Sequence, residues 1–423
     1  MSTASGEIVR GPRAWILLAA LMLVSIFSQI DRILPYILAE SIRTELGLSD
    51  TQIGLITGLA FAVCYTLFSL PLARAADRGS PRLVLLACLL VWSLMTGLGG
   101  LAGGFTVLAL TRLGVALGEA GGTPSAHALI ARRIEPERRG VAIGLFAMGI
   151  PLGTMVGFIG GGLIDQAFGW RAAFVGAGAL GLTVALLAWL AAGPTPPVRR
   201  PVEQTEPFVR SALRLLSVPA FRWLMLGALA VGFATAPFYT FTTPFLIRTY
   251  GFTTAQVGLS FGLLQGMTGV IGALIGGRMF DHAVRRGARR PLLAPAIMLV
   301  VGAVSATAAL FAPVGWMAIA LFVPAMLGFA FLLPWVFGAG HRIAGPGKEA
   351  LASSLGLVAS GLFGPALAPV LVGLISDGAA NAGLSNGLGL GLLIGPTFSV
   401  LTALALMAAG RRMRLASPFP PRT

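Results

Sequence analysis

Four ionisable side chains interrupt otherwise apolar stretches of the chain: Asp31 and Arg32 in one, Arg112 and Glu119 in another. A charge held in an apolar medium is costly unless it is paired, so such residues face a bundle interior or a water-filled path and mark routes for ions or substrates. Arg112 and Glu119 are seven positions apart. On a helix that puts them on one face about 10 Å from each other, too far for a direct pair. Each therefore needs a partner on another element, and Asp31 with Arg112 and Glu119 with Arg32, or one shared network, satisfies all four. Burial and a nearby arginine act on a carboxyl's proton affinity in opposite directions, so a small change of geometry can load or release a proton. Two other readings stay open: an ion-pair cluster that only joins two helices, and an Arg32 that snorkels or binds an anionic substrate directly.

The elements that must hold these residues are membrane helices. Of 423 residues, 56% are hydrophobic and 11% charged, with a mean hydropathy of +0.87, more apolar surface than a soluble core of this size can hide. A span needs roughly 20 apolar residues. Candidates run near 14–39, 51–73, 82–102, 105–128, 140–164 and 171–193, then 221–247, 254–277, 291–312, 315–340, 350–375 and 386–409. The expected fold is an all-α integral membrane protein of 12 helices. Residues 1–193 and 220–423 would form two six-helix bundles joined by a polar loop, 194–219. Within that loop Pro207 to Val218, with Arg210, Arg214, Leu215 and Leu216, suits a short amphipathic helix on the membrane surface. Met1 to Arg13 lacks the apolar run of a cleaved signal, so the first span reads as retained.

The formal charge of +15 falls in short clusters between apolar runs, which argues for membrane topology and against a nucleic-acid partner. With the N-terminus cytoplasmic, 25 of the 30 basic residues lie in cytoplasmic segments, and only Arg43, Arg171 and Arg248 lie in the opposite loops. Both termini are then expected inside, in a bacterial inner membrane.

The halves repeat at an offset of 204: Gly47, Gln52, Gly54, Leu55, Gly58, Leu59 and Asp77 match Gly251, Gln256, Gly258, Leu259, Gly262, Leu263 and Asp281. Parallel repeats of this kind are expected to be related by a pseudo-two-fold axis and to rock about a site near the bilayer midplane. The segment Arg74 to Arg82, with Asp77 and Arg78, is echoed by Arg278 and Asp281. With Arg139 these read as a cytoplasmic gate held by ion pairs or by a helix N-terminus. Positive-inside anchoring alone explains the arginines but not two matched aspartates.

The second half has no ionisable group in the middle of its spans. Phe233, Thr235, Tyr239, Gln265, Phe331 and Trp335, with Tyr36 from the first half, are the expected cavity lining. A charged wall facing an apolar-aromatic one suits an amphipathic ligand. Gly149, Pro151, Gly153, Gly157 and Gly160 to Gly162 in the fifth span read as close helix packing. Cys64 and Cys88 read as packing residues, and His127, His282 and His341 lack metal spacing. No phosphate-cradling loop is followed by Lys and Ser/Thr, and no catalytic cluster is present, so neither an ATP-driven pump nor an enzyme is expected.

Taken together, the loop around Asp77, the run Arg112 to Gly121 and Gly169-Trp170-Arg171 resemble the major facilitator superfamily over the whole chain. Asp31-Arg32, Gly47 to Gly54 and Gly118-Glu119-Ala120 resemble its spinster branch. The resemblance implies proton-coupled transport of lysophospholipids or sphingosine-1-phosphate-like lipids, with Asp31 and Glu119 as proton-sensing carboxylates and Arg32 and Arg112 as their partners. A multidrug or organic-anion antiporter of the same fold is the alternative. No cofactor is expected beyond the proton gradient. The expected partners are the substrate, protons and membrane lipids, and the monomer is the expected working unit. Ala73 stands where the family's loop motif usually begins with glycine.

Overall fold

The structure is a computed structural model that describes residues 8–9, 11–194, 208–286, 290–345 and 348–413. Residues 195–207 of the expected central loop and the basic positions Arg10, Arg199, Arg200, Arg289, Arg414 and Arg422 lie outside them. Among the described residues there are helices and no strands. The long helices are α1 (Pro12–Ile37), α2 (Asp50–Arg78), α3 (Pro81–Gly99), α4 (Phe105–Arg133), α5 (Arg139–Phe168) and α6 (Trp170–Ala192). After them come α7 (Pro219–Tyr250), α8 (Thr254–Arg285), α9 (Leu293–Leu310), α10 (Gly315–Ala344), α11 (Leu351–Asn381) and α12 (Gly387–Met413). Eleven of these carry segments long and apolar enough to cross a membrane. The remaining one, α4, has 29 residues and carries Arg112 and Glu119. Large apolar side chains such as Leu67, Leu190 and Val304 are about two-thirds exposed, a surface that only lipid satisfies. This is a multi-pass membrane protein.

The chain divides into two compact units, Met1–Val202 with Gly251–Leu263, and Glu203–Tyr250 with Leu264–Thr423. The first has a core of Leu17, Leu21, Leu89, Trp92, Val115 and Leu129. Phe221, Leu224, Leu299, Phe331, Trp335 and Leu406 build the second. The short helix Phe208–Leu216 turns Ala212 and Leu215 inward, at 8% and 5% exposure, and leaves Leu213 63% exposed, as an amphipathic segment does.

The repeat has a physical cause at the helix starts. Gly47 takes a left-handed conformation (φ +63) and ends the short helix Ala39–Leu46. Ser49 and Gln52 then form a reciprocal capping box at the start of α2. In the second repeat Gly251 (φ +70) precedes Thr253 and Gln256. Their backbone and side-chain groups exchange the same two bonds, at 2.9 and 3.2 Å. Both boxes satisfy amides that a helix start would leave bare. Ser49 and Thr253 are thus equivalent although they are not identical.

Gly149, Gly153, Gly157 and Gly161 of α5 are packing residues against α1, whereas Gly160, also expected to pack, has open space at its Cβ position. A Cβ on Gly153 would lie 2.5 Å from the Ile26 carbonyl oxygen and 2.7 Å from Gln29 Cβ, and one on Gly157 would lie 3.0 Å from Ile33 Cβ. Small residues four apart let α1 and α5 touch backbone to backbone. Gly169 (φ +81) separates α5 from α6, and Glu45 then receives the Trp170 indole at 2.6 Å and the Arg171 guanidinium at 2.9 Å. Single π-helical turns interrupt α2 at Leu55–Leu59 and α11 at Ala359–Phe363.

Candidate functional site

The structure brings all four membrane charges of the first unit together. Pro35 lies inside α1 one turn beyond Asp31 and Arg32, and α4 presents Arg112 and Glu119 to the same interior. Asp31, Arg112 and Glu119 are 1%, 3% and 1% exposed. Arg32 Nε donates to Glu119 Oε2 at 2.5 Å, and the Ser28 hydroxyl stands 3.5 Å from that oxygen. The expected Glu119 to Arg32 pairing therefore forms. The other expected pair differs: Arg112 Nη1 donates to the main-chain carbonyl of Asp31 at 3.3 Å, not to its carboxylate. A helix carbonyl near Pro35 has lost its usual donor, because proline has no N–H to give. The polar groups acting on the Asp31 carboxyl are Glu119, Arg112 and Thr96, while Asp31 Oδ1, Glu119 Oε1, Arg112 Nε and Thr96 Oγ1 are buried without a hydrogen-bond partner. Tyr36 sits within electrostatic reach of Arg112, Arg32 and Glu119.

Two aromatic residues that sequence reasoning missed complete the site. Phe61 of α2 lies 5.2 Å from the Arg32 guanidinium carbon and 5.4 Å from that of Arg112, and Tyr65 lies 4.8 Å from that of Arg32. The two rings stack at 5.8 Å. The Phe61 face attracts both guanidinium groups and the Tyr65 face that of Arg32. Positions 61 and 65 are one helical turn apart, so a search for aromatic pairs on the second span would have found them.

In the second unit Tyr239 and Gln265 hydrogen-bond to each other, and Gln265 Oε1 is buried without a partner. Phe233 stacks on Phe398 at 4.7 Å, and Thr235 bonds back to the Val231 carbonyl at 3.0 Å. Phe331 and Trp335 depart from expectation. At 4% and 1% exposure they belong to the hydrophobic core with Phe221 and Leu224, because their ring volume is what fills that interior. An apolar cleft elsewhere in this unit is lined by Phe238, Thr242, Phe322, Phe329 and Ser399.

The expected gate residues also differ from expectation. Asp77, Arg78, Arg278 and Asp281 are exposed, and no ion pair joins them among the described residues. Arg139 Nε donates to the Ile134 carbonyl at 3.1 Å. The residue that holds the turn after α2 is Arg132 of α4. Its Nη1 donates to Gly79 O at 3.0 Å and its Nη2 to Ala76 O and Asp77 O at 3.0 and 2.6 Å. The last carbonyls of a helix lack internal donors, and a fork of fixed N–H groups satisfies three of them at once. Cys64 donates to the Leu113 carbonyl at 3.3 Å and Cys88 lies in the core; both are free thiols.

A buried, paired charge cluster within a membrane-embedded helical unit marks a path for ions or substrate. The chain belongs to the Major Facilitator Superfamily, whose family model matches residues 18–369. Within it the structure matches the spinster branch. It superposes with TM-score 0.85 on the crystal structure of a bacterial homolog to the human lysosomal transporter Spinster, inward-facing and unoccupied, at 26% identity over 97% of this chain and 100% of that one. In sequence it is 37% identical over 391 residues to an MFS-type efflux pump of Mycolicibacterium smegmatis, covering 91% of this chain and 90% of the relative. It is also 27% identical over 280 residues to the hexuronate transporter of Bacillus subtilis, covering 64% and 66%.

Proposed function

We propose that this protein is a proton-coupled, alternating-access carrier of anionic amphiphiles such as lysophospholipids or sphingosine-1-phosphate-like lipids. The observation that carries this reading is the Arg32 to Glu119 pair at 2.5 Å. It has a half-open and a closed end, for the side chains are 32% and 0% exposed. An anionic head and the Glu119 carboxylate compete for one guanidinium. A proton on Glu119 therefore favours a head on Arg32, and by reciprocity the head favours the proton. Asp31, whose carboxylate forms no ion pair among the described residues, is the second proton site, and Arg112 is the second cation. In the second unit Tyr239, Gln265, Phe233 and Thr235 are the uncharged polar and aromatic groups assigned to substrate contact. Asp77, Arg78, Arg139, Arg278 and Asp281 retain a gating role in this reading, with Arg132 holding the first of the two loops. The bias of basic residues supports cytoplasmic termini in a bacterial inner membrane.

The similarity to an efflux pump favours a second reading, a multidrug or organic-anion antiporter. A cationic drug that binds the carboxylates competes with the proton and is exchanged for it. Reconstituted liposomes separate the two. Lysophospholipid uptake that accelerates with an imposed pH gradient, moves protons in the same direction and loses the gradient effect in Glu119→Gln supports the first reading. Uptake indifferent to both the gradient and the substitution overturns it. Counterflow of protons against an organic cation, with no lysophospholipid movement, selects the second.

A further inference from the structure

We propose that the first unit carries a binding site for an anionic membrane phospholipid, distinct from the charge cluster, built by Arg82 of α3 and Arg133 of α4 at the C-terminal end of α6. Arg82 Nε and Nη2 donate to the Trp189 carbonyl at 3.1 and 2.8 Å, and its guanidinium carbon lies 3.4 Å over the Trp189 ring. Arg133 Nη1 donates to the Pro194 carbonyl at 3.3 Å. Its Nη2 lies 3.0 Å from where a Cβ on Gly193 would stand, a position with φ +58 that favours glycine in any case.

Among the described residues the charge at this place is unbalanced: Arg133 is a charged neighbour of Arg82, and no carboxylate pairs with either arginine. The C-terminal dipole of α6 supplies about half a negative charge, against two full positive ones. Arg133 Nε is buried with no partner. Nearby, the N-terminal turn of α3, where Ser80 caps the helix, adds further positive potential. Arg138, by contrast, has its side chain 68% exposed and lies 3.7 Å from the Glu135 carboxylate, which balances its charge. Arg82 and Arg133 are half-buried side by side. Next to them Leu83, Leu186 and Leu190 are 58%, 57% and 65% exposed, an apolar flank on α3 and α6 for acyl chains. Trp189 is the kind of aromatic that sits at headgroup depth. Two clustered cations above an apolar flank match a phosphate head with its tails, the chemistry of basic pockets between membrane helices that hold anionic lipids.

Native mass spectrometry of the full chain in neutral detergent, with equal phosphatidylglycerol and phosphatidylcholine added, tests this. Wild type is expected to retain phosphatidylglycerol over phosphatidylcholine by about tenfold or more, the effect of two nearby cations. Arg82→Gln with Arg133→Gln is expected to bring the ratio near parity, whereas Arg138→Gln leaves it unchanged. Parity in wild type overturns the proposal, and that measurement needs no variant to fold. A ratio undiminished in the double variant, or equally diminished by Arg138→Gln, also overturns it. Inorganic phosphate is expected to displace little of the bound lipid. Full displacement at comparable concentration would mean a simple anion site and would end the lipid assignment.

Discussion

Arg32 and Glu119 meet at 2.5 Å across α1 and α4, yet only the arginine end reaches outward, with 32% of its side chain exposed against none for the glutamate. That asymmetry decides what each partner loses when the other is removed. Arg32→Ala leaves a buried carboxylate with only the Ser28 hydroxyl, 3.5 Å away, and the more distant Arg112 to answer it. A cost of about 3 kcal/mol or more is expected, as for other buried pairs broken on one side. Glu119→Gln leaves an arginine that water can reach and keeps an amide oxygen for its N–H. About 1 kcal/mol is expected there, the worth of an ordinary hydrogen bond. Thermal unfolding in detergent compares the two, and equal losses would contradict the asymmetry.

Acidification is expected to act through the same pair. A proton on Glu119 removes the negative charge that holds Arg32, so the pair is intact on the alkaline side and weakens as pH falls through the titration of Glu119. Glu119→Gln fixes the neutral form. Its transport rate and its conformational accessibility, followed by cysteine labelling, are expected to lose most of their pH dependence. Asp31→Asn is expected to shift that profile without flattening it, since Glu119 still titrates. An unaltered profile in both variants would reduce the cluster to a structural joint.

Phe61 lies within 5.5 Å of both guanidinium groups, at 5.2 and 5.4 Å. Replacing it with Leu keeps the bulk and removes the π face. Two partly desolvated cation–π contacts are worth about 1 kcal/mol or more together, so the apparent affinity for an anionic amphiphile is expected to weaken by about fivefold or more. Phe61→Trp retains a ring face and is expected to stay near wild type. Substrate titrations of initial transport rates measure both.

The glycines of α5 divide into those that touch α1 and those that do not. Gly153→Val would drive Cβ to within 2.5 Å of the Ile26 carbonyl oxygen, where the obstacle is backbone. Forced overpacking of this kind costs about 2 kcal/mol or more. Gly160 has open space around its Cβ position, so Gly160→Ala is expected to be neutral or to gain a few tenths of a kcal/mol from helix propensity. Thermal unfolding of the two variants separates packing from propensity.

How much of this was legible in the sequence varied with the range of the interaction involved. Spans, their number and the placement of four charges inside them follow from local composition, because the bilayer imposes a length and a polarity on every segment that crosses it. The 204-residue repeat was equally readable, and its capping boxes at Ser49 with Gln52 and Thr253 with Gln256 are contacts between residues three apart. Even the joining of Arg32 to Glu119 followed from the need of each buried charge for an opposite one. Which atom of Asp31 faces Arg112, and that Phe61 and Tyr65 lie beside the arginines, depended on the rotation of α2 and α4 about their axes. Hydropathy along a helix does not report that rotation. The same limit explains why Phe331 and Trp335, which looked like cavity walls, turned out to fill the core, and why Arg132 rather than Asp77 secures the turn after α2. Composition and periodicity determined what must be buried and paired; the close packing of helix against helix decided which partner each group met, because contacts of a few ångströms are set by faces that only the assembled bundle brings together.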